Sequence, residues 1–183
     1  MSIFEDFLDK HGKGTKCQKA TPKIIDKYKK KLPEELIEFW QEEGFCAYAD
    51  GLIWVVNPED FQYVADEWFD DKVKRTVFAR TAFGNFYLWS EKNGVEQLYT
   101  QYKKVTVVSP ELPFLFNFGL VQDRYLKNNL DLRLFKQAVK KFGELEHDEC
   151  YGFEPALALG GAEKIEFVKK VKLQPYLEIL AQL

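Results

Sequence analysis

Residues 33–56, PEELIEFWQEEGFCAYADGLIWVV, hold a helix, its stop and a hairpin in one run. Pro33 suits the first turn of a helix, Leu36, Phe39 and Trp40 then share one face, and Gly44 stands where a left-handed C-terminal cap is expected. Phe45–Tyr48 and Leu52–Val56 follow as two strands around Asp50-Gly51, a dipeptide that supplies the positive φ angles of a tight turn. A helix running into an antiparallel hairpin opens an α+β chain.

The pattern extends in both directions. Upstream, Ile3, Phe4, Phe7 and Leu8 predict a short amphipathic helix ended by Gly12, His11–Ala20 a loop, and Thr21-Pro22 the start of a second helix. Downstream, Asn57-Pro58 caps a helix whose buried stripe is Phe61, Val64, Ala65 and Trp68. Val77–Thr81, Phe86–Trp89, Gln97–Tyr102 and Val105–Val108 read as strands of a meander, broken at Phe83-Gly84-Asn85 and Asn93-Gly94. Then come a Phe-rich helical segment near Leu115–Leu120, a helix over Asp131–Phe142 stopped by Gly143, a short strand Phe153–Leu159 and a terminal helix Pro175–Leu183. The predicted architecture is α+β, with a central antiparallel five- or six-stranded meander sheet flanked by N-terminal and C-terminal helices. Residues 1–110 form its first domain, and residues 111–183 a mostly helical region packed on the same core.

An apolar share of 46 % in 183 residues is ample for a buried core, so the chain is not read as disordered. No apolar run approaches the roughly 20 residues that span a bilayer, and Met1–Asp6 lacks the basic-then-apolar order of an export signal. A cytoplasmic location is expected. Cys17, Cys46 and Cys150 are odd in number and far apart, which reads as reduced thiols used for packing.

Candidate chemistry is thin. Cys17, Cys46, His147 and Cys150 are the possible zinc ligands, but only His147 and Cys150 have ligand-like spacing. A Cys–His pair with His11 or His147 lacks a nucleophile elbow, and Gly160-Gly161 lacks the rest of a phosphate loop. No catalytic residue, metal site or cofactor is assigned, and the chain is read as a binder, not an enzyme.

Charge is more informative than its net value of −3. Lys10–Lys31 is lysine-rich, which leaves a nucleic-acid-binding regulator as the alternative reading, although arginines and interleaved aromatics are missing. From Pro33 to Asp71 there is no Lys or Arg at all. Glu34, Glu38 and Glu42 line one outer helix face, and Glu59, Tyr63, Asp66 and Asp70 line another, with Glu67 and Asp71 beside them. A second acidic cluster, Glu144, Glu146, Asp148 and Glu149, lies next to Tyr151. Concentrated negative charge steers a cationic partner, so the expected partner-binding residues are Glu59, Tyr63, Asp66, Glu67, Asp70, Asp71, Glu146, Asp148 and Glu149.

Leu32-Pro33-Glu34-Glu35-Leu36-Ile37-Glu38-Phe39-Trp40 with Gly44, then Tyr48-Ala49-Asp50-Gly51-Leu52-Ile53-Trp54-Val55-Val56-Asn57-Pro58, resembles the opening of the GAD-like domain family. Ala79–Gly84 followed by Tyr87-Leu88-Trp89 looks like its central strands. Asp148–Gly161, Val171-Lys172-Leu173 and Leu180–Leu183 are similar to the C-terminal region of type VI secretion immunity proteins. The Leu-Pro helix is also loosely similar to the SUKH immunity superfamily. The resemblance implies a bacterial cytoplasmic immunity protein that binds and neutralises a cognate DNase toxin. It carries over no contact residues, because such interfaces diverge with the toxin; the residues named above rest on charge and helix phase alone.

Overall fold

A computed structural model describes residues 3–183; Met1 and Ser2, at the head of the stretch read for an export signal, lie outside it. Its elements run α1 (Glu5–His11), β1 (Thr15–Gln18), α2 (Pro22–Tyr28), α3 (Glu34–Glu42), β2 (Phe45–Tyr48), β3 (Ile53–Val55), α4 (Pro58–Glu67), β4 (Thr76–Thr81), β5 (Phe86–Ser90), β6 (Gly94–Tyr99) and β7 (Lys104–Ser109). The chain continues with α5 (Leu112–Phe114), a π-helical turn over Leu115–Gly119, α6 (Asp123–Asn129), α7 (Leu132–Phe142), β8 (Glu149–Phe153), β9 (Val168–Lys172) and α8 (Leu173–Gln182). Among these residues no helix is long and apolar enough to cross a membrane.

β1 to β7 form one antiparallel meander in sequence order, and β8–β9 form a separate two-stranded ladder. The α+β class stands, with a sheet larger than expected. The seventh strand is β1, in the segment expected to be a loop; all four of its residues are exposed, so no apolar alternation marks it. β6 starts three residues before the predicted Gln97, because Gly94 turns the hairpin after Asn93 and the strand begins at once. The strand expected over Phe153–Leu159 lies earlier: β8 ends at Phe153 and Leu157–Leu159 is a 3₁₀ turn.

Helix signals behave as their chemistry dictates. The Thr21 side chain accepts from the Ile24 amide at 3.4 Å, and the Asn57 side chain accepts from the Glu59 amide at 3.2 Å. Gly44, at φ 82°, ends α3 and brings its backbone against β1; a Cβ there would lie 2.4 Å from the Gln18 carbonyl oxygen.

Register sorts the core onto two faces, because side chains alternate along a strand. Tyr48 pairs with Ile53 on one face, where Tyr48, Phe39 of α3, Phe7 of α1 and Phe116 of the π turn form an aromatic cluster; Phe4 stacks on Phe116 at 4.2 Å. Ala47, Trp54, Arg80 and Phe86 pair in succession on the other, which α4 covers through Phe61. The C-terminal region joins this body by hydrogen bonds and stacking. The Tyr151 amide donates to the Ala82 carbonyl at 2.8 Å, Phe153 stacks on Phe83 at 5.9 Å, and the Tyr176 hydroxyl donates to Gln101 at 3.1 Å.

Asp131 precedes α7 in a left-handed conformation, φ 52°, without capping the helix through its side chain. Burial, then the charge of Glu163, pushes its carboxyl up to about 6. A folded pKa above the unfolded one gives stability that is complete below the unfolded value and is lost as pH rises through about 6. Asp131→Asn removes that loss, and Asn tolerates the backbone. After discounting for partial exposure, the variant should gain about 1 kcal/mol, or about 2–4 °C in melting temperature, at pH 7.5 and only a small part of that at pH 4, where the loss has just begun.

Candidate functional site

The acidic stretch and the acidic loop, separate in sequence, are brought together by Arg80. This guanidinium is 0 % exposed, lies 4.4 Å over the Trp54 ring, and donates to the carbonyls of His147 at 2.9 Å and Glu146 at 3.4 Å. Burial pushes its pKa down to about 10, so it remains a cation at neutral pH. No carboxylate within 4 Å neutralises it among the described residues; indole π density and carbonyl dipoles do so instead. Beside it, the His147 ring packs 5.5 Å from Phe61 and reaches Asp60 at 3.3 Å. Loop 144–148 is thereby fixed against the N-terminal half of α4.

Fixing the acids does not leave them all free. Glu59 is held by Lys27 at 2.7 Å and by the Tyr28 hydroxyl, and these two contacts lower its pKa. Asp71 receives two bonds from Arg75, at 2.6 and 2.9 Å, while the same guanidinium reaches the buried Glu96. That pairing, with the Val73 amide, holds the Asp71 carboxyl down at about 2. Glu146 pairs with Lys16 at 2.9 Å, Asp148 with Lys172 at 2.8 Å, and Glu149 with Lys170 at 3.7 Å and Lys172 at 3.6 Å. Asp66, Glu67 and Asp70 are exposed and take part in no ion pair within 4 Å among the described residues; Asp66 accepts only a 3.4 Å bond from Gln62. Glu34, Glu38 and Glu42 on α3 are likewise exposed without such a pair.

Tyr63 is not the solvent-facing ring that helix phase predicts. Its side chain is half-buried and its hydroxyl is shielded from solvent without a hydrogen-bond partner among the described residues. Burial pushes its phenol up to about 12.

The cysteines differ from their predicted reading. Cys17 and Cys46 form a disulfide, because β1–β2 pairing sets them opposite each other with Cα atoms 4.2 Å apart. Cys150 is the buried free thiol, raised to about 12 by burial. Among the described residues no three His, Cys, Asp or Glu side chains converge as metal ligands would. Two exposed aromatics that the sequence did not single out, Phe114 and Phe118, lie 5.5 Å apart at the sheet edge beside Val108. No sequence signal separates them from the buried Phe116, since only the π turn fixes which rings face out.

Residues 2–102 match the GAD-like domain model. The chain belongs to the GAD-like domain family. Residues 114–183 match the model of the C-terminal region of the T6SS immunity protein Tdi1. A crystal structure of Atu4351 from Agrobacterium tumefaciens is similar over 98 % of this chain and 88 % of that one, with a TM-score of 0.79 and 19 % identity. At that identity the likeness shows a shared fold. No curated protein matches the chain.

Because Arg80 both fills space and holds the loop, two substitutions separate its roles. Arg80→Ala should cost about 3 kcal/mol in denaturant unfolding through the cavity it leaves. Arg80→Met keeps volume and should cost less than half of that, yet amide exchange across residues 144–149 should rise about tenfold.

Proposed function

We propose that this chain acts by stoichiometric binding: its acidic face docks on the basic substrate cleft of a cognate type VI secretion nuclease and excludes nucleic acid. The reading places it in the bacterial cytoplasm, where such a toxin would act, and requires no cofactor and no turnover. The observation that carries it is the division of carboxylates. Asp66, Glu67 and Asp70 lack internal cations and remain available to a cationic partner. Glu59 and Asp71 hold the surface in shape through Lys27 and Arg75. Glu146 and Asp148 sit in exposed lysine pairs, and Glu149 in a more shielded one; exposed pairs are weak and exchangeable for a partner's lysines or arginines. Tyr63, half-buried on the same helix, contributes at most the exposed part of its ring to that face.

The nucleic-acid alternative loses support from the fate of the basic segment. Of its nine lysines, four, Lys10, Lys16, Lys27 and Lys29, are engaged with Asp123, Glu146, Glu59 and Asp26, so part of that charge is already compensated.

The test is a candidate type VI secretion nuclease effector, purified in a catalytically inactive form and titrated by calorimetry at two salt concentrations. Asp66→Lys with Asp70→Lys should leave the melting temperature within about 2 °C, weaken binding at least about tenfold and flatten its salt dependence. Unchanged affinity and salt dependence would remove this face from the interface. Loss of binding in Phe114→Ser with Phe118→Ser alone would move the interface to the exposed aromatic pair.

A further inference from the structure

β1 is held to the body by few contacts. It is an edge strand with four exposed residues, it pairs with β2 through Thr15↔Ala47 and Gln18↔Phe45 with an irregularity between them, and Lys16 lies in the left-handed region at φ 51°. A non-glycine residue there is unfavourable unless its surroundings enforce it. Two restraints do so. Cys17 is bonded to Cys46, and the Lys16 ammonium donates to the Leu145 carbonyl at 2.7 Å and to Glu146 at 2.9 Å, with Glu144 at 3.6 Å. Both restraints converge on one turn of backbone: the bond fixes Cys17, and the neighbouring Lys16 is thereby aimed at the acidic loop.

We propose that Cys17–Cys46 is a thiol–disulfide exchange site whose co-substrate is a dithiol reductant, and that its opening releases Lys16 from Glu144 and Glu146. Cys17 is the accessible end, since Cys46 is 0 % exposed and Gly14 lies against it so closely that a Cβ would sit 2.4 Å from the Cys46 Cβ. A reductant thiolate attacks the Cys17 sulfur and forms a mixed disulfide, and the Cys46 sulfur departs with the bonding pair and takes a proton. Its new S–H faces the Glu43 carbonyl oxygen, 3.1 Å from the sulfur, which accepts it. The reductant's second thiolate then attacks its own sulfur in the mixed disulfide, and the Cys17 thiolate leaves and is protonated. Two electrons and two protons pass to the protein, and the reductant closes to its cyclic disulfide.

With the tether open, β1 keeps only its irregular ladder and the exposed ion pairs, which are weak. Lys16 then relaxes from its left-handed backbone and the acidic loop gains net negative charge. If the nuclease reading holds, the reduced form is the one that meets the toxin with Glu144 and Glu146 uncovered; the exchange itself does not depend on that reading.

The experiment uses the full chain alone, treated with oxidised glutathione and then divided, with one half exposed to dithiothreitol without denaturant. Thiols are counted by N-ethylmaleimide and intact mass, and lysine accessibility by acetylation and peptide mapping. Before reduction, denatured protein should show one reactive thiol, Cys150, and after native reduction all three cysteines. Native reduction should also raise the acetylation rate of Lys16 about fivefold or more, while that of Lys27, paired with Glu59 elsewhere, stays level. Cys17→Ser should show the fast Lys16 rate with or without reductant, and Cys150→Ala should behave as the parent chain. Three reactive thiols before reduction, reduction only in denaturant, or an unchanged Lys16 rate in the reduced chain would each overturn the proposal. No partner is involved, so these outcomes are independent of whether the toxin is a nuclease.

Discussion

The fully buried guanidinium of Arg80 carries the arrangement on which the rest depends. Its side chain rises from β4 into a space roofed by α4 and floored by Trp54, where water cannot reach it. Leaving a guanidinium there is costly unless its donors find partners; the carbonyls of Glu146 and His147 accept from one terminal nitrogen and the Thr81 carbonyl from the other, while Nε has no partner among the described residues. The loop therefore closes on the sheet wherever Arg80 is, and β8, which follows it, is delivered to the Ala82 carbonyl. Two parts of the chain that match separate family models are thus coupled by a requirement of electrostatics and not by surface fit alone.

Much of the negative charge that makes the middle of the sequence conspicuous has a structural task. Arg75 collects Asp71 and the buried Glu96 and ties the exit of α4 to β6, while Phe69 lies under its guanidinium at 3.9 Å. Lys27 and Tyr28 of α2 hold Glu59 at the entry of α4. Both ends of α4 are anchored by acids read as contacts, and the carboxylates between them stay in solvent. Clustered like charge is tolerated at those positions because the anchors fix the helix against its own repulsion.

The same logic extends to the acidic loop, whose carboxylates are matched by lysines from β1 and β9. Of these, Lys16 comes from the most weakly supported strand in the sheet, and a covalent bond beside it supplies the missing support.

The α+β class, helices α2 to α4 and α7 with their caps, the β2–β3 hairpin and the central strands were legible in the sequence, because each rests on local chemistry: Pro and Thr or Asn at helix starts, Gly at stops, and apolar side chains at period 3.6 or alternating. β1 was not, since an exposed edge strand has no buried face to impose a pattern, and its pairing partner lies 29 residues away across the disulfide. The acidic region was visible as composition, but which acids are free depends on lysines and arginines from other elements, so only packing distinguishes Asp66 and Asp70 from Glu59 and Asp71. Tyr63 and Arg80 show the same limit. By itself the sequence determined the local elements and the sign of the surface, because those depend on neighbours within a few residues. Only the tertiary structure decided which charges are matched, which cysteines meet and which loop a buried guanidinium must hold, because those are relations across the chain.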